Sequence, residues 1–490
     1  MKKVELIFVP TPGAGHLVST GEFAKRLLHF DHRISVTILS MNWFPGLPDP
    51  YTESLATCRP DRIRLIHLPQ VDPPSLDLFK LSPEAFIYEF IQNYFVPVRN
   101  AVRDIMSTRS TSVPDSGSVR VAGLVLDFFC SPMVDIATDL GIPSYVYLTS
   151  NAAFFGLSLY LPTRHRQNSS VFEYPKPESG NMDLEHLIPG FVNPVPSRVL
   201  PSFVFNENGG YTALVKIAEK FRLADGIIVN TFEELETHAV NCFYNGQSQN
   251  QNPPIYPVGP VIHLQSLPHP ELDQVQRDRI MKWLDNQPES SVVYLCFGSM
   301  GSHGPRQAKE IALGLEKSGH RFLWSFHMPP PQNDATGTVH YNHPEELLPQ
   351  GFMERIKEKG MICGWAPQVE VLRHKAVGGF VSHCGWNSIL ESLWCGVPIV
   401  TWPMYAEQQL NAYLMKEMGL AVVMELDFRE GSEVVMAEEI EEGVRTVMDE
   451  GCEVRKKVKE MAGMARKAVK DGGSSFNSIG RFIGDIIGNT

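Results

Sequence analysis

What this chain lacks narrows its function before any motif is read. It has no excess of positive charge: 43 Lys and Arg face 55 Asp and Glu, a formal net charge of −12. That argues against sequence-independent binding to a nucleic-acid backbone, and no nucleic-acid partner is expected. It has no paired-cysteine spacing. Cysteines 58, 130, 242, 296, 363, 384, 395 and 452 are scattered without a CxxC pair, which argues for reduced core thiols in a cytoplasmic protein rather than a disulfide framework. It has no HExxH helix, no Cys/His cluster, no DxD carboxylate pair and no P-loop, so no metal ion is expected. It also lacks a clean membrane span. Leu140–Thr163 is long enough, but Pro143 and the polar group Thr149, Ser150 and Asn151 break it into a strand and a helix. At the start, Glu5, Pro10 and Pro12 interrupt MKKVELIFVPTPGAGH, which suits a buried first strand better than a signal peptide. No membrane partner is expected.

What is present is a long alternation. Short apolar runs (VELIFVP, ISVTILSM, IRLIHLP, VAGLVLDFF, SYVYLT, GIIVNTF) are separated by helical patterns at Leu17–Phe30, Pro83–Ser107, Pro132–Leu140 and Tyr211–Leu223. Continuous apolar strands joined through helices indicate a parallel sheet covered on both faces. A Gln-, Asn- and Pro-rich stretch (NGQSQNQNPPIYPVGP) then breaks the rhythm. The alternation restarts with VVYLCFG, RFLWSFH, GMICGW, GGFVSHCG, PIVTWP and GLAVVMEL. The expected class is α/β, with two doubly wound, Rossmann-like halves: residues 1–250, a linker at 251–285, and 286–472. A last helix at 473–490 is expected to pack back on the first half. Such sheets bind ligands beyond the carboxyl ends of their strands, and two facing halves would share a cleft. Pro-rich segments at 328–351 and 168–201 are expected to be surface loops.

The segment from Trp365 to Gln408 carries the densest chemistry. A strand at Gly379–His383 runs through a Cys384–Gly385 turn into a helix starting near Asn387. The N–H groups of a helix start favour an anion, and Asn387 and Ser388 add side-chain donors there. His383 can donate to a phosphate oxygen. Glu391, four residues after Asn387 on the same helical face, can accept from two ribose hydroxyls. Trp365 offers a flat face for a uracil ring, with Gln368 and the backbone near Ala366 beside it. Glu407 and Gln408 suit a ring of adjacent hydroxyls. Taken singly, each has a bland alternative: a core tryptophan, a solvated helix acid, an ordinary turn. Their concentration within residues 365–408 is what points to a nucleotide-sugar diphosphate.

This segment resembles the C-terminal signature box of plant secondary-product glycosyltransferases, the UDP-sugar-dependent family 1 enzymes of GT-B fold. HCGWNS and a closing E-Q pair stand where that family has them. The resemblance implies that Trp365 stacks on uracil and that Ala366 and Gln368 serve base and ribose. It gives the phosphates to His383, Asn387 and Ser388 beside Gly385, and the ribose to Glu391. Trp386, Glu407 and Gln408 would contact the sugar, and Gln408 favours UDP-glucose as the donor. Ser299, in CFGSMGS, matches a further donor contact, and Thr149 a position near the sugar. In the amino-terminal half, the resemblance makes His16 of PTPGAGHLVST the general base and Asp127 of LDFFC its partner. The chemistry is coherent, because an imidazole titrating near about 6.5 is neutral at working pH and can take an acceptor's proton. A carboxylate on the other ring nitrogen fixes the tautomer. Acceptor contacts are expected from Gly15, Phe128, Phe203 and Tyr405.

The implied reaction is inverting transfer of glucose from UDP-glucose to a hydroxyl of a small apolar acceptor, a flavonoid- or stilbene-like phenolic. A terpenoid acceptor is the alternative, and a non-catalytic UDP-sugar sensor is the alternative of another class. A nicotinamide oxidoreductase fits poorly. Val18 occupies the third glycine position of GAGHLV, and the second strand ends ILSMN without a ribose-binding acid. The expected partners are two small molecules, with the chain acting as a cytoplasmic monomer without metal or cofactor.

Overall fold

The computed structural model describes residues 3–43, 51, 54–55, 61–110, 119–174, 183–245, 252–265, 272–328, 346–424 and 434–488. Most of the Pro-rich 328–351 segment, part of 168–201 and part of the expected linker lie outside them. The chain divides into two compact units. The first comprises Met1–Ser197, Phe203–His263 and Lys467–Thr490; the second comprises Arg198–Ser202 and Leu264–Arg466.

The first unit is built on β1 (Lys3–Val9), β2 (Ile34–Ser40), β3 (Ile63–His67), β4 (Val119–Asp127) and β5 (Ser144–Leu148). A small antiparallel pair, β6 (Glu185–His186) with β7 (Val195–Pro196), stands apart, and β8 (Gly226–Val229) and β9 (Ile255–Pro257) complete the main sheet. Its order is β3-β2-β1-β4-β5-β8-β9, with every neighbouring pair parallel. Strands of such a sheet are covered on both faces, which is why β1 and β4 read as apolar runs rather than alternations. Strand order reverses between β1 and β4, whose carboxyl ends meet with Val9 opposite Leu126. Reversals of this kind open the crevice in which α/β sheets bind ligands.

In the second unit, β10 (Val292–Cys296), β11 (Arg321–Ser325), β12 (Gly360–Cys363), β13 (Val377–Ser382), β14 (Ile399–Thr401) and β15 (Ala421–Val423) form a sheet of order β12-β11-β10-β13-β14-β15. Here the reversal lies between β10 and β13, with Cys296 opposite Ser382. One face packs Trp324, Trp402, Phe322 and Val381 against the Pro305–Ser318 and Ala437–Met448 helices.

Several elements differ from the sequence expectation for identifiable reasons. Within the stretch read as a linker, Ile255–Pro257 is a buried strand on the edge of the first sheet, where Pro257's missing N–H is tolerated. Gln274–Asp285 is a helix of the second unit, held there by Gln276 Nε2 donating to the Trp365 carbonyl at 2.8 Å and by the Arg277–Glu370 ion pair at 2.6 Å. Polar composition hid both. The single helix expected over 83–107 is two, Pro83–Asn93 and Phe95–Ser110. Pro97 has no N–H to return to Asn93, so the first helix stops there. The Leu140–Thr163 run is β5 followed by the Ala152–Gln167 helix. Among the described residues no helix is long and apolar enough to cross a membrane. The seven described cysteines are free thiols.

The Ser474–Gly488 helix belongs to the first unit. Its Phe482 is fully buried among Phe23, Tyr145 and Tyr256, with ring centroids 6.1, 5.0 and 5.3 Å away. Ser475 donates to the Gly259 carbonyl, and the Tyr256 hydroxyl donates to Asp485 at 2.5 Å.

Candidate functional site

In the first unit, the candidate site residues gather at the β1/β4 reversal. β1 runs through a short turn into the Ala14–Phe30 helix, and Gly13 at the N-cap holds φ 116°, a conformation that disfavours side chains. His16 falls in the first helical turn, its N–H bonded to the Gly13 carbonyl at 3.1 Å. Asp127 closes β4. The two side chains, 111 residues apart in sequence, meet with His16 Nδ1 2.9 Å from Asp127 Oδ2. The imidazole is 30% exposed and the carboxylate fully buried. Thr149, just past β5, places Oγ1 3.1 Å from the same Nδ1. An ionised carboxylate only accepts, so the shared proton sits on Nδ1 and Nε2 carries the ring's lone pair.

The carboxylate is itself held. Its Oδ1 accepts from Thr11 Oγ1 at 2.5 Å and from the Phe129 N–H at 3.2 Å. Phe129 also packs on the imidazole, ring centroids 5.3 Å apart. Neither Thr11 nor Phe129 is singled out by the sequence, although both sit in the quoted motifs, PTPGAGH and LDFFC. Of the expected acceptor contacts, Gly15 is exposed beside His16. Phe128 and Phe203 are 5% and 4% exposed and connect through Phe154, at centroid distances of 5.4 and 6.4 Å. The Ala152–Gln167 helix, which follows Thr149, is capped internally. Buried Glu236 accepts from the Ala152 and Ala153 N–H groups at 2.9 and 3.0 Å, and Asn151 accepts from the Phe154 N–H at 2.7 Å. Burial pushes the Glu236 carboxyl up, although these donors oppose the shift.

In the second unit, the candidate site residues gather at the β10/β13 reversal. The Trp386–Cys395 helix starts at Gly385 with no side-chain cap and no acid in its first turn. Its start is therefore equipped for an anion, unlike the helix that Glu236 closes. His383 is 7% exposed, and a Cβ on either Gly298 (φ 76°) or Gly385 would come within 2.6 Å of its Nε2. Glycine at both positions lets the backbone close around the imidazole. Burial pushes His383 down to about 4, the Cys296 backbone opposing weakly, so at neutral pH it offers an N–H rather than a cation. Two of the three non-glycine residues with positive φ among those described are here, Cys384 (63°) and Ala406 (54°). Such conformations cost about 1–3 kcal/mol each and concentrate at ligand sites.

Gln368 Nε2 donates to Ser388 Oγ at 2.9 Å and to Glu391 Oε2 at 2.7 Å, joining three expected nucleotide contacts. Burial pushes Glu391 up to about 7 against the lowering effect of Gln368. Trp365 is half-buried, edge-on to His327 with centroids 5.5 Å apart, and Ala366 beside it is buried. Asn387 is half-buried in the first helical turn, and Ser299 is exposed after β10. Tyr405 is 40% exposed, its ring 6.4 Å from that of His383. Trp386, at the first position of its helix, is 2% exposed. Gln408 is buried, and its Oε1 accepts from the Met404 and Tyr405 N–H groups at 2.8 and 3.0 Å, leaving its NH₂ as the donor end. Glu407 Oε1 accepts from Asn411 at 3.4 Å.

Residues 269–458 match the family described as UDP-glucoronosyl and UDP-glucosyl transferase. Over 494 residues the chain is 53% identical to UDP-glycosyltransferase 71K1 of Malus domestica, covering all of both chains. It is 49% identical to the flavonol 3-O-glucosyltransferase UGT71C4 of Arabidopsis thaliana, covering 99% of this chain and 98% of that one. Among solved structures, Medicago truncatula UGT71G1 complexed with UDP-glucose superposes with a TM-score of 0.87 at 49% identity, covering 99% of this chain and 98% of that one.

Proposed function

This chain belongs to the plant family 1 UDP-glycosyltransferases, of GT-B fold, and on that footing we propose that it transfers glucose from UDP-glucose, with inversion, to a hydroxyl of a small apolar phenolic of flavonoid or stilbene type. The observation that carries this reading is the His16–Asp127 pair at 2.9 Å, with the carboxylate buried and the imidazole partly exposed. Nε2 takes the acceptor's proton as its oxygen attacks the anomeric carbon. Asp127 stabilises the imidazolium that forms. UDP leaves from the opposite side of that carbon, its charge met by the uncapped start of the Trp386–Cys395 helix, by Ser388 and Asn387, and by the His383 N–H. Attack on UDP-α-glucose from that side yields a β-glucoside.

Support for glucose comes from Gln408 closing the signature segment and from the UDP-glucose bound to the Medicago protein. Support for a phenolic comes from the flavonol-active Arabidopsis relative and from the aromatic cluster around Phe128, Phe129, Phe154 and Phe203. The proposed enzyme is a cytoplasmic monomer that requires neither metal nor cofactor. The test is acceptor-dependent UDP release from UDP-glucose and UDP-galactose across flavonols, stilbenes and terpenoid alcohols, with NMR of the product's anomeric proton. A β-glucoside of a phenolic is the expected outcome. Turnover of terpenoid alcohols alone would assign the other acceptor class, and donor binding without release would make the chain a sensor.

Donor affinity should depend on pH through Glu391. The carboxyl stands near about 7 before the donor binds, and ribose hydroxyls donating to it favour its ionised form. Binding therefore expels a proton. Affinity for UDP-glucose, which has no phosphate titrating in this range, is full above pH 7 and falls by up to about tenfold per unit below it, until the bound-state value is reached. Calorimetry between pH 6 and 8 in buffers of different ionisation enthalpy measures this, and Glu391→Gln should flatten the dependence.

A further inference from the structure

We propose that Thr11 is a positioning residue of the proposed glucosyl transfer, acting on His16 through the carboxylate of Asp127; this rests on the reading of His16 as the base. Thr11 and Cys130 are 1% and 0% exposed, and Asp127 is fully buried. Thr11 Oγ1 stands 2.5 Å from Asp127 Oδ1 and 3.5 Å from Cys130 Sγ. The order of donors follows from the groups themselves. Asp127 only accepts, so the single Thr11 hydroxyl proton goes to Oδ1. Burial, reinforced by the Asp127 charge, pushes the Cys130 thiol well up, which keeps its proton available to Thr11 Oγ1. The result is a one-way chain, Cys130 S–H to Thr11 O–H to Asp127 Oδ1, with Oδ2 turned to His16 Nδ1.

A carboxylate on a single Cα–Cβ stem can rotate about χ1 and χ2. Oδ2 stays on the imidazole because Oδ1 is pinned from two directions, by the Thr11 hydroxyl and by the Phe129 N–H. The hydroxyl also draws charge onto Oδ1, moderating how tightly Oδ2 holds the proton of Nδ1. His16, Thr11 and Cys130 surround the carboxylate, and buried Tyr147 also feels its charge. Thr11 touches no reacting atom in this scheme. Its effect reaches the chemistry only by way of the ring.

The test compares Thr11→Val, which keeps the shape and removes the hydroxyl, with Thr11→Ser, which keeps the hydroxyl. In Thr11→Val, kcat should fall by about tenfold, because the carboxylate loses one of the two contacts that pin it and the ring is held less well for proton transfer, which outweighs the gain in its basicity. The Michaelis constants of both substrates should stay unchanged. The acid limb of the kcat/KM profile should move to higher pH, because a carboxylate with one donor fewer stabilises the imidazolium more. Thr11→Ser should restore rate and profile. Thr11→Cys, similar in size with a weaker donor, should lie between and decides the matter if the valine variant does not fold. Full kcat with an unmoved acid limb in a folded Val or Cys variant overturns the proposal, as does failure of Ser to rescue. If His16→Ala leaves the rate intact, the base assignment has failed. If His16→Ala abolishes transfer while Thr11→Val is silent, only the role of Thr11 has failed.

Discussion

His16→Ala is expected to lower kcat for glucosylation of a flavonol hydroxyl by about 10²–10⁴-fold, the usual contribution of a positioned general base. UDP affinity should be preserved. His16 sits in the first unit, on the helix after β1, whereas the groups assigned to the diphosphate and ribose are in the second unit around Gln368, His383 and Glu391. Losing the imidazole should therefore leave calorimetric binding of UDP unaltered while initial rates collapse. Acceptor acidity separates this loss from a simple packing defect. A nitrophenol already ionised at the assay pH needs no base and should retain much more of its rate than an alcohol or an ordinary phenol. Uniform loss across acceptors of all acidities would mean that the ring serves in binding rather than in proton transfer.

Asp127→Asn should be almost as damaging, by as much as about 10⁴-fold in kcat, although it changes the outline of the site very little. The structure supplies the reason. Nδ1 faces a buried oxygen at 2.9 Å, and that oxygen can only accept. An asparagine can instead present its NH₂, which would push the ring proton to Nε2 and turn the base into a donor. Thr149 Oγ1, 3.1 Å from Nδ1, can donate or accept and so cannot restore the original tautomer by itself. Nitrogen-15 chemical shifts of the His16 ring would reveal the swap directly. An Asp127→Asn variant with the wild-type tautomer and a small rate loss would remove Asp127 from the mechanism.

The groups most legible in the sequence are those whose neighbours are close in the chain. His383, Gly385, Asn387 and Ser388 occupy one strand–turn–helix, so their clustering follows from local geometry. The apolar runs mark the strands for the same reason. The pairing of His16 with Asp127 can be named only through the family resemblance, because it depends on β1 and β4 lying side by side and no local pattern encodes that register. Thr11 is invisible at that level because its partner is 116 residues away and a threonine in a turn has many uses. Gln368 and Glu391 each read as nucleotide contacts, but their 2.7 Å hydrogen bond is a tertiary fact. The unit boundary after His263 is obscured by composition, since a three-residue strand in a proline-rich stretch scarcely registers as periodicity.

The placement of the Ser474–Gly488 helix has a consequence for biogenesis. Phe482 completes an aromatic cage whose other walls, Phe23, Tyr145 and Tyr256, emerge from the ribosome much earlier. Until residues 264–466 and then the Ser474–Gly488 helix have been translated, the sheet of the first unit keeps an uncovered apolar flank. Nascent chains stalled or cleaved short of the cage's last wall would thus expose sticky surface on the amino-terminal fold, although every residue assigned to its chemistry had already been made.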